Sequence, residues 1–161
     1  MSTGRLSKVE WAGVGVACVA LATAALLAEV IRPNTRLTAT ASAWKDDAKT
    51  VARVIDGRTL SSWFLPNGGP GWIEVAFPEP RSLTKIQIIN GRDDPFLQNA
   101  AKLVRITAYA GDTPSGAVDV TLNKSSNVQE VDLRARNVTR VRFQIQSHYG
   151  QRGGLAELRF E

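Results

Sequence analysis

The side chains able to do chemistry are few and unevenly placed. His148 is the only histidine in 161 residues, followed directly by Tyr149 and Gly150 and then, after Gln151, by Arg152. A second polar group, Arg92, Asp93, Asp94 and Phe96, follows Asn90-Gly91 and is interrupted by Pro95. One histidine leaves a single imidazole for general-base work. The sequence also has no G-x-S-x-G elbow, phosphate-binding glycine loop or Cys/His zinc spacing, so hydrolytic, nucleotide-dependent and zinc chemistry lack their parts. No catalytic residue and no cofactor is assigned. What both groups carry is recognition chemistry. Carboxylates and guanidinia give sugar hydroxyls directional partners, and an aromatic ring gives a pyranose face the flat apolar surface it needs. The alternatives are plain: His148, Tyr149 and Arg152 close the end of a domain by local hydrogen bonds, and Arg92 to Phe96 form a solvated turn with Phe96 tucked inward.

A third group is cationic. Arg134, Arg136, Arg140 and Arg142 fall within nine residues, either as a contact for anionic headgroups or as a solvated strand face that blunts sheet association. The net charge of +5 is spread along the chain, with +2 in residues 1–37 (four basic, two acidic) and +3 in the remainder (sixteen basic, thirteen acidic). So even an excess argues against nucleic acid as a partner.

The elements that must position these residues centre on Ala52 to Phe77, where an Asp-Gly turn leads to Trp63 and Phe64, a loop of Asn67 to Gly71, and a strand opening at Trp72. Trp63 and Phe64 are expected on a loop, either plugging the core or forming a contact surface. Period-two alternation marks Ile73, Val75 and Phe77; Ile86 and Ile88; Val104, Ile106 and Ala108; Val118, Val120 and Leu122; Val131 and Leu133; Val141, Phe143 and Ile145; and Ala156, Leu158 and Phe160. With Gly, Pro and Asn turn signals between them, about eight strands predict an all-β domain of two packed antiparallel sheets over residues 38–161.

Ahead of that domain, eighteen residues from Trp11 to Ala28 carry no charge. As a helix the run is roughly 27 Å long, close to a bilayer core of about 30 Å. Arg5, Lys8 and Ala22-Thr23-Ala24 are also features of a cleaved secretory peptide, but the apolar run continues past them to Ala28, which favours an uncleaved anchor. The expected organisation is a cytoplasmic tail at 1–10, a transmembrane helix at 11–31, a linker at 32–37 and a domain outside the cytoplasm, periplasmic or extracellular. Small residues, notably Gly13, Gly15, Ala17, Ala20 and Ala24, would let that helix pack closely on another transmembrane subunit.

The ordered set Val54-Ile55-Asp56-Gly57, Trp63, Gly71 to Phe77, Ile86 to Gly91, Val104-Arg105-Ile106, Val141 to Ile145 and Leu155 to Phe160 resembles a discoidin (coagulation factor C-terminal type) domain. The Asn90-Gly91 pair and His148-Tyr149-Gly150 are similar to the bacterial NADase-type glycan-binding modules of the galactose-binding-like superfamily. The resemblance implies a non-catalytic jelly-roll β-sandwich that binds sugars, headgroups or proteins through loops at one end. Trp63, Phe64, Arg92, Asp93, Asp94, Phe96, His148, Tyr149 and Arg152 are the candidate ligand residues. It also implies a structural calcium near Asp56 and Glu157. Arg58 stands where an acidic residue is common, so the expectation is that Arg58 replaces the ion by pairing with one of these carboxylates. Two functions follow. One is a membrane-anchored module recognising a glycan or lipid headgroup; the other is an accessory subunit of a larger membrane complex.

Overall fold

The computed structural model describes residues 37–66, 68–92 and 97–161. The transmembrane helix expected at 11–31, its packing residues Gly13, Gly15, Ala17, Ala20 and Ala24, and the linker up to Arg36 lie outside the described residues, as do Asn67, Asp93, Asp94 and Phe96. None of the described helices is long and apolar enough to cross a membrane.

The chain runs β1 (Thr38–Ala41), a 3₁₀ helix (Ala48–Ile55), β2 (Trp63–Phe64), β3 (Gly71–Asn90), β4 (Ala101–Ala110), β5 (Thr113–Thr121), β6 (Gln129–His148) and β7 (Gly154–Phe160). All pairings are antiparallel. The two twenty-residue strands make the architecture. Extended, each would reach more than about 60 Å, yet both ends of β3 lie beside the start of β7: Gly71 pairs with Ile145, which sits against Gly153, and the Gly91 N–H donates to the Gly154 carbonyl. So β3 folds back on itself, and β6, its partner along the whole length, folds with it. Register shifts between Ala76 and Lys85 mark the bend. One sheet is then β5, β4, the second half of β6, the first half of β3, and β1. The other is the first half of β6, the second half of β3, β7 and β2.

Two poles result. The upper pole carries the described segments 62–66, 68–71, 90–92, 97–101, 121–129 and 148–154. The lower pole carries the bends 77–82 and 135–139, the Gly111-Asp112 turn, Leu37 and Glu161. The alternating residues read from the sequence fill the space between the sheets, with Ile73, Val75, Ile86, Ile88, Val104, Ile106, Val141, Phe143 and Ile145 all fully buried. Phe160 closes the lower end, meeting Phe77 edge-on at 5.1 Å and Phe143 at 6.2 Å.

Two expectations are corrected and one element was not anticipated. The segments Leu83–Asn90 and Val131–Leu133 are not separate strands, because bulges bend the ladder without ending it. Residues 48–55 wind into a 3₁₀ helix, placing Val51 and Val54, three apart on one side of such a helix, in the core. Trp63 and Phe64 are strand, not loop. Trp63 is wholly inaccessible, its Nε1–H donating to the Ala43 carbonyl at 3.1 Å, and Phe64 is buried over Gly154.

Candidate ligand pole and cation loop

The upper pole is organised by a buried amide. Asn90 Nδ2 donates to the carbonyls of Ala101 (2.9 Å) and Asn123 (3.0 Å), while Oδ1 accepts the Ala101 and Gly91 N–H groups. Every polar site of that amide is used at zero exposure, so the backbone at Gly91, Ala101 and Asn123 is pinned to one point.

The 148–152 loop is stitched to its neighbour in turn. Tyr149 N–H donates to Ala100 O, and Gln151 N–H donates to Asn99 Oδ1. Between them the loops touch so closely that a Cβ on Gly150 would lie 2.1 Å from Gln98 O, which leaves room only for glycine. His148 Nδ1 lies 2.7 Å from Gly150 O. A carbonyl only accepts, so Nδ1 carries the proton, and in the neutral ring Nε2 is left as an acceptor. Tyr149 fixes its hydroxyl on Leu122 O at 2.9 Å and carries Lys102 Nζ 5.6 Å from the ring centre, yet keeps 38% of its surface exposed. Arg152 has its Nε buried with no hydrogen-bond acceptor in the described structure.

Of the sequence-derived ligand residues, the structure thus brings His148, Tyr149 and Arg152 together. It places Arg92 at the same pole, exposed, its backbone exchanging hydrogen bonds with the Ser62 hydroxyl. It removes Trp63 and Phe64 from the surface, Trp63 into the core and Phe64, on the other face of β2, against Gly154. Lys102 and Asn99 belong to the pole and were missed. Lys102 opens β4 with an ordinary outward-facing pattern, and nothing in its neighbours along the chain announces that it lies over Tyr149.

The second arrangement is the loop Asp56 to Ser61. Gly57 adopts φ of 77°, which turns its N–H onto Glu157 Oε2 at 3.2 Å. Asp56 accepts the Arg58 N–H at 2.8 Å and the Ser61 hydroxyl at 3.1 Å. Glu157 is 3% exposed, and burial, reinforced by the Asp56 charge, pushes its carboxyl up to about 7 against the partial opposition of Arg159 at 3.7 Å. The expected replacement of a cation by Arg58 is not what the structure shows. Its guanidinium is exposed with no ion pair among the described residues, and the nearest cation to Glu157 is Arg159. Nor is any group of three or more His, Cys, Asp or Glu among the described residues placed to hold a metal ion, and a carboxyl that retains its proton is a poor ligand for a hard cation.

The arginine run divides. Arg142 bonds Glu74 at 2.9 Å and stacks 4.5 Å over Trp72, and Arg140 reaches Glu74 and Asp112 and stacks 4.5 Å over Tyr109. Both are thus neutralised on the outer face of the larger sheet.

Solved structures with this arrangement include carbohydrate-binding modules. A module of Clostridium perfringens in complex with GalNAc-β-1,3-galactose superposes with a TM-score of 0.68 at 16% identity, over 80% of this chain and 96% of the other. A family 32 carbohydrate-binding module from the same organism, in complex with galactose, gives 0.68 at 18% identity over 80% and 95%. An F5/8 type C domain from Bacteroides fragilis gives 0.66 at 19% over 79% and 91%. This is the discoidin-like, galactose-binding-like fold. The sequence itself matches no protein-family model and no curated protein. The discoidin-like fold is therefore kept here by the pattern of buried alternation and by the glycine and asparagine contacts of the upper pole, at identities too low to carry side-chain roles.

Proposed function

We propose that this chain is a non-catalytic glycan-binding module whose ligand seats on the upper pole. The observation that carries the reading is Arg152: a guanidinium N–H buried without an acceptor costs on the order of 1–3 kcal/mol unless something satisfies it. A sugar oxygen beside the exposed Tyr149 ring would do so. His148 Nε2 would accept from a sugar hydroxyl, and the Tyr149 ring would stack on an apolar sugar face. Domains of the same fold bind GalNAc-β-1,3-galactose, galactose and Lewis B antigen. We further propose that the module is membrane-held through Trp11 to Ala28, with the domain outside the cytoplasm.

The test is calorimetric titration of the full chain in mild detergent with galactose, N-acetylgalactosamine and a fucosylated Lewis-type oligosaccharide. Binding by at least one sugar, weakened tenfold or more in Arg152→Gln at unchanged melting temperature, is the expected result. Silence with all three sugars and across a broad glycan array would sink it.

A further inference from the structure

The described segments of the upper pole, which exclude Asp93 and Asp94, carry Arg92, Lys124 and Arg152, with Lys102 beside them near the start of β4, and hold no carboxylate. None of these four cations has an ion pair among the described residues, and Glu130, which follows the 121–129 segment, is held by Lys85 at 2.7 Å. On the sheet faces the opposite holds: Arg105 meets Asp119 at 3.1 Å and Arg142 meets Glu74 at 2.9 Å. Unpaired charges of one sign gathered at one end of a domain raise the local concentration of anions. Lys102 is the cation that decides what such an anion must look like. It is exposed, and the partner of its three-donor ammonium among the described residues is the face of the Tyr149 ring, 5.6 Å from the centroid. That is close to the outer limit of about 6 Å for a cation over a ring. A carboxylate is the stronger partner, because both charges are whole and the hydrogen bond is charge-assisted. A ligand that brings a carboxylate to the margin of Tyr149 therefore draws Lys102 off the ring and uncovers apolar surface for stacking, while the Tyr149 hydroxyl stays fixed on Leu122 O at 2.9 Å.

We propose that the upper pole selects an acidic sugar, a hexuronic acid, with Lys102 binding the carboxylate that such a sugar carries on its pyranose ring. The inference rests on reading this pole as the glycan site and names the charge of the sugar it takes. A pyranose with a carboxylate attached directly to the ring offers an apolar face to Tyr149 and a whole negative charge within one ring's width of it. Arg152 donates its buried Nε–H to another oxygen of the same sugar and adds a second positive charge beside the carboxylate. His148 Nε2, an acceptor while Nδ1 donates to Gly150 O, takes a sugar hydroxyl and not the anion. Lys102 holds no loop in place by a side-chain hydrogen bond among the described residues, so its charge can be removed without disturbing the pole.

The experiment titrates the full chain in mild detergent with galacturonic acid, galactose, galactose 6-sulfate and glycerol 3-phosphate, by calorimetry at about 50 mM and about 500 mM sodium chloride. Galacturonic acid should bind at least tenfold more tightly than galactose at the lower salt, and the higher salt should erase most of that preference by screening. Lys102→Gln should cut the preference to threefold or less at an unchanged melting temperature, and Lys102→Arg should keep most of it. Equal affinity for the two sugars, or a preference that survives both Lys102→Gln and high salt, overturns the proposal and leaves the glycan reading standing. Silence with every sugar, here and across a broad glycan array, removes both. Galactose 6-sulfate binding as tightly as galacturonic acid overturns the carboxylate as the anion recognised, and glycerol 3-phosphate doing so overturns the sugar as its carrier.

Discussion

The two poles of the sandwich are built from the same two long strands and end in different chemistry. At the upper pole, buried polar groups are joined: one asparagine ties together the backbone at Gly91, Ala101 and Asn123, and the 148–152 loop is sewn to Ala100 and Asn99 around an exposed tyrosine. At the lower pole the aromatic packing is internal, and Lys85, Arg134 and Arg136 line one cleft. The difference teaches where rigidity has been placed. A recognition surface for a many-hydroxyl ligand needs its donors and acceptors held still, whereas a charged cleft gains from field strength and tolerates looser geometry.

The sharpest way to break that contrast is Asn90→Ala. Losing four hydrogen bonds and stranding buried carbonyls should cost about 3 kcal/mol or more in chemical denaturation and abolish sugar binding. A denaturation midpoint within error of wild type would show the pin to be dispensable.

Glu157 gives the next effect, and it depends on pH. The folded carboxyl keeps its proton up to about 7, against 4.5 for the free group, so folding binds a proton between those values. Stability is therefore greatest below about pH 4.5 as far as this group is concerned, declines as pH rises to 7, and stays reduced above it, by about 3 kcal/mol in all. Glu157→Gln should flatten that slope and stabilise the protein at pH 8 but not at pH 4.5. A wild-type stability curve rising between pH 5 and 7, alike in the variant, would contradict this.

Smaller effects sharpen the picture. Glu74→Gln, which releases Arg140 and Arg142 on an outer face remote from the glycan loops, should cost about 1 kcal/mol and leave sugar affinity unchanged. Asn137 has φ of 55° at the lower bend, so Asn137→Ala should cost about 1 kcal/mol, read as a shift of a few degrees in melting temperature.

Much of the fold was legible because half-buried strands alternate: Ile73, Val75, Ile86, Ile88, Val141, Phe143 and Ile145 declared their inward face without help. The bends at 77–82 and 135–139 were not, because a bulge shifts register without a composition of its own, so two hairpin-like strands were read for each long one. Residues 48–55 escaped because eight residues of 3₁₀ helix give too short a period to register. At the site, His148, Tyr149 and Arg152 could be picked out as rare polar and aromatic types beside glycines. Trp63 misled for the same reason: a tryptophan beside a Gly/Pro-rich loop has the composition of a contact surface, and only the pairing of β2 with β7 shows it facing inward. Lys102 owes its setting to a chain segment distant in sequence.

The pairing of β1 with β3 has one mechanical consequence. Its four residue pairs, Thr38 to Ala41 against Ala76 to Ile73, run along the axis that joins the poles. Tension between a cargo gripped at the top and the chain ahead of Leu37 would pull β1 lengthwise, across hydrogen bonds that lie perpendicular to the strand. Those bonds would then share the load and yield together, the geometry in which a short strand resists detachment best.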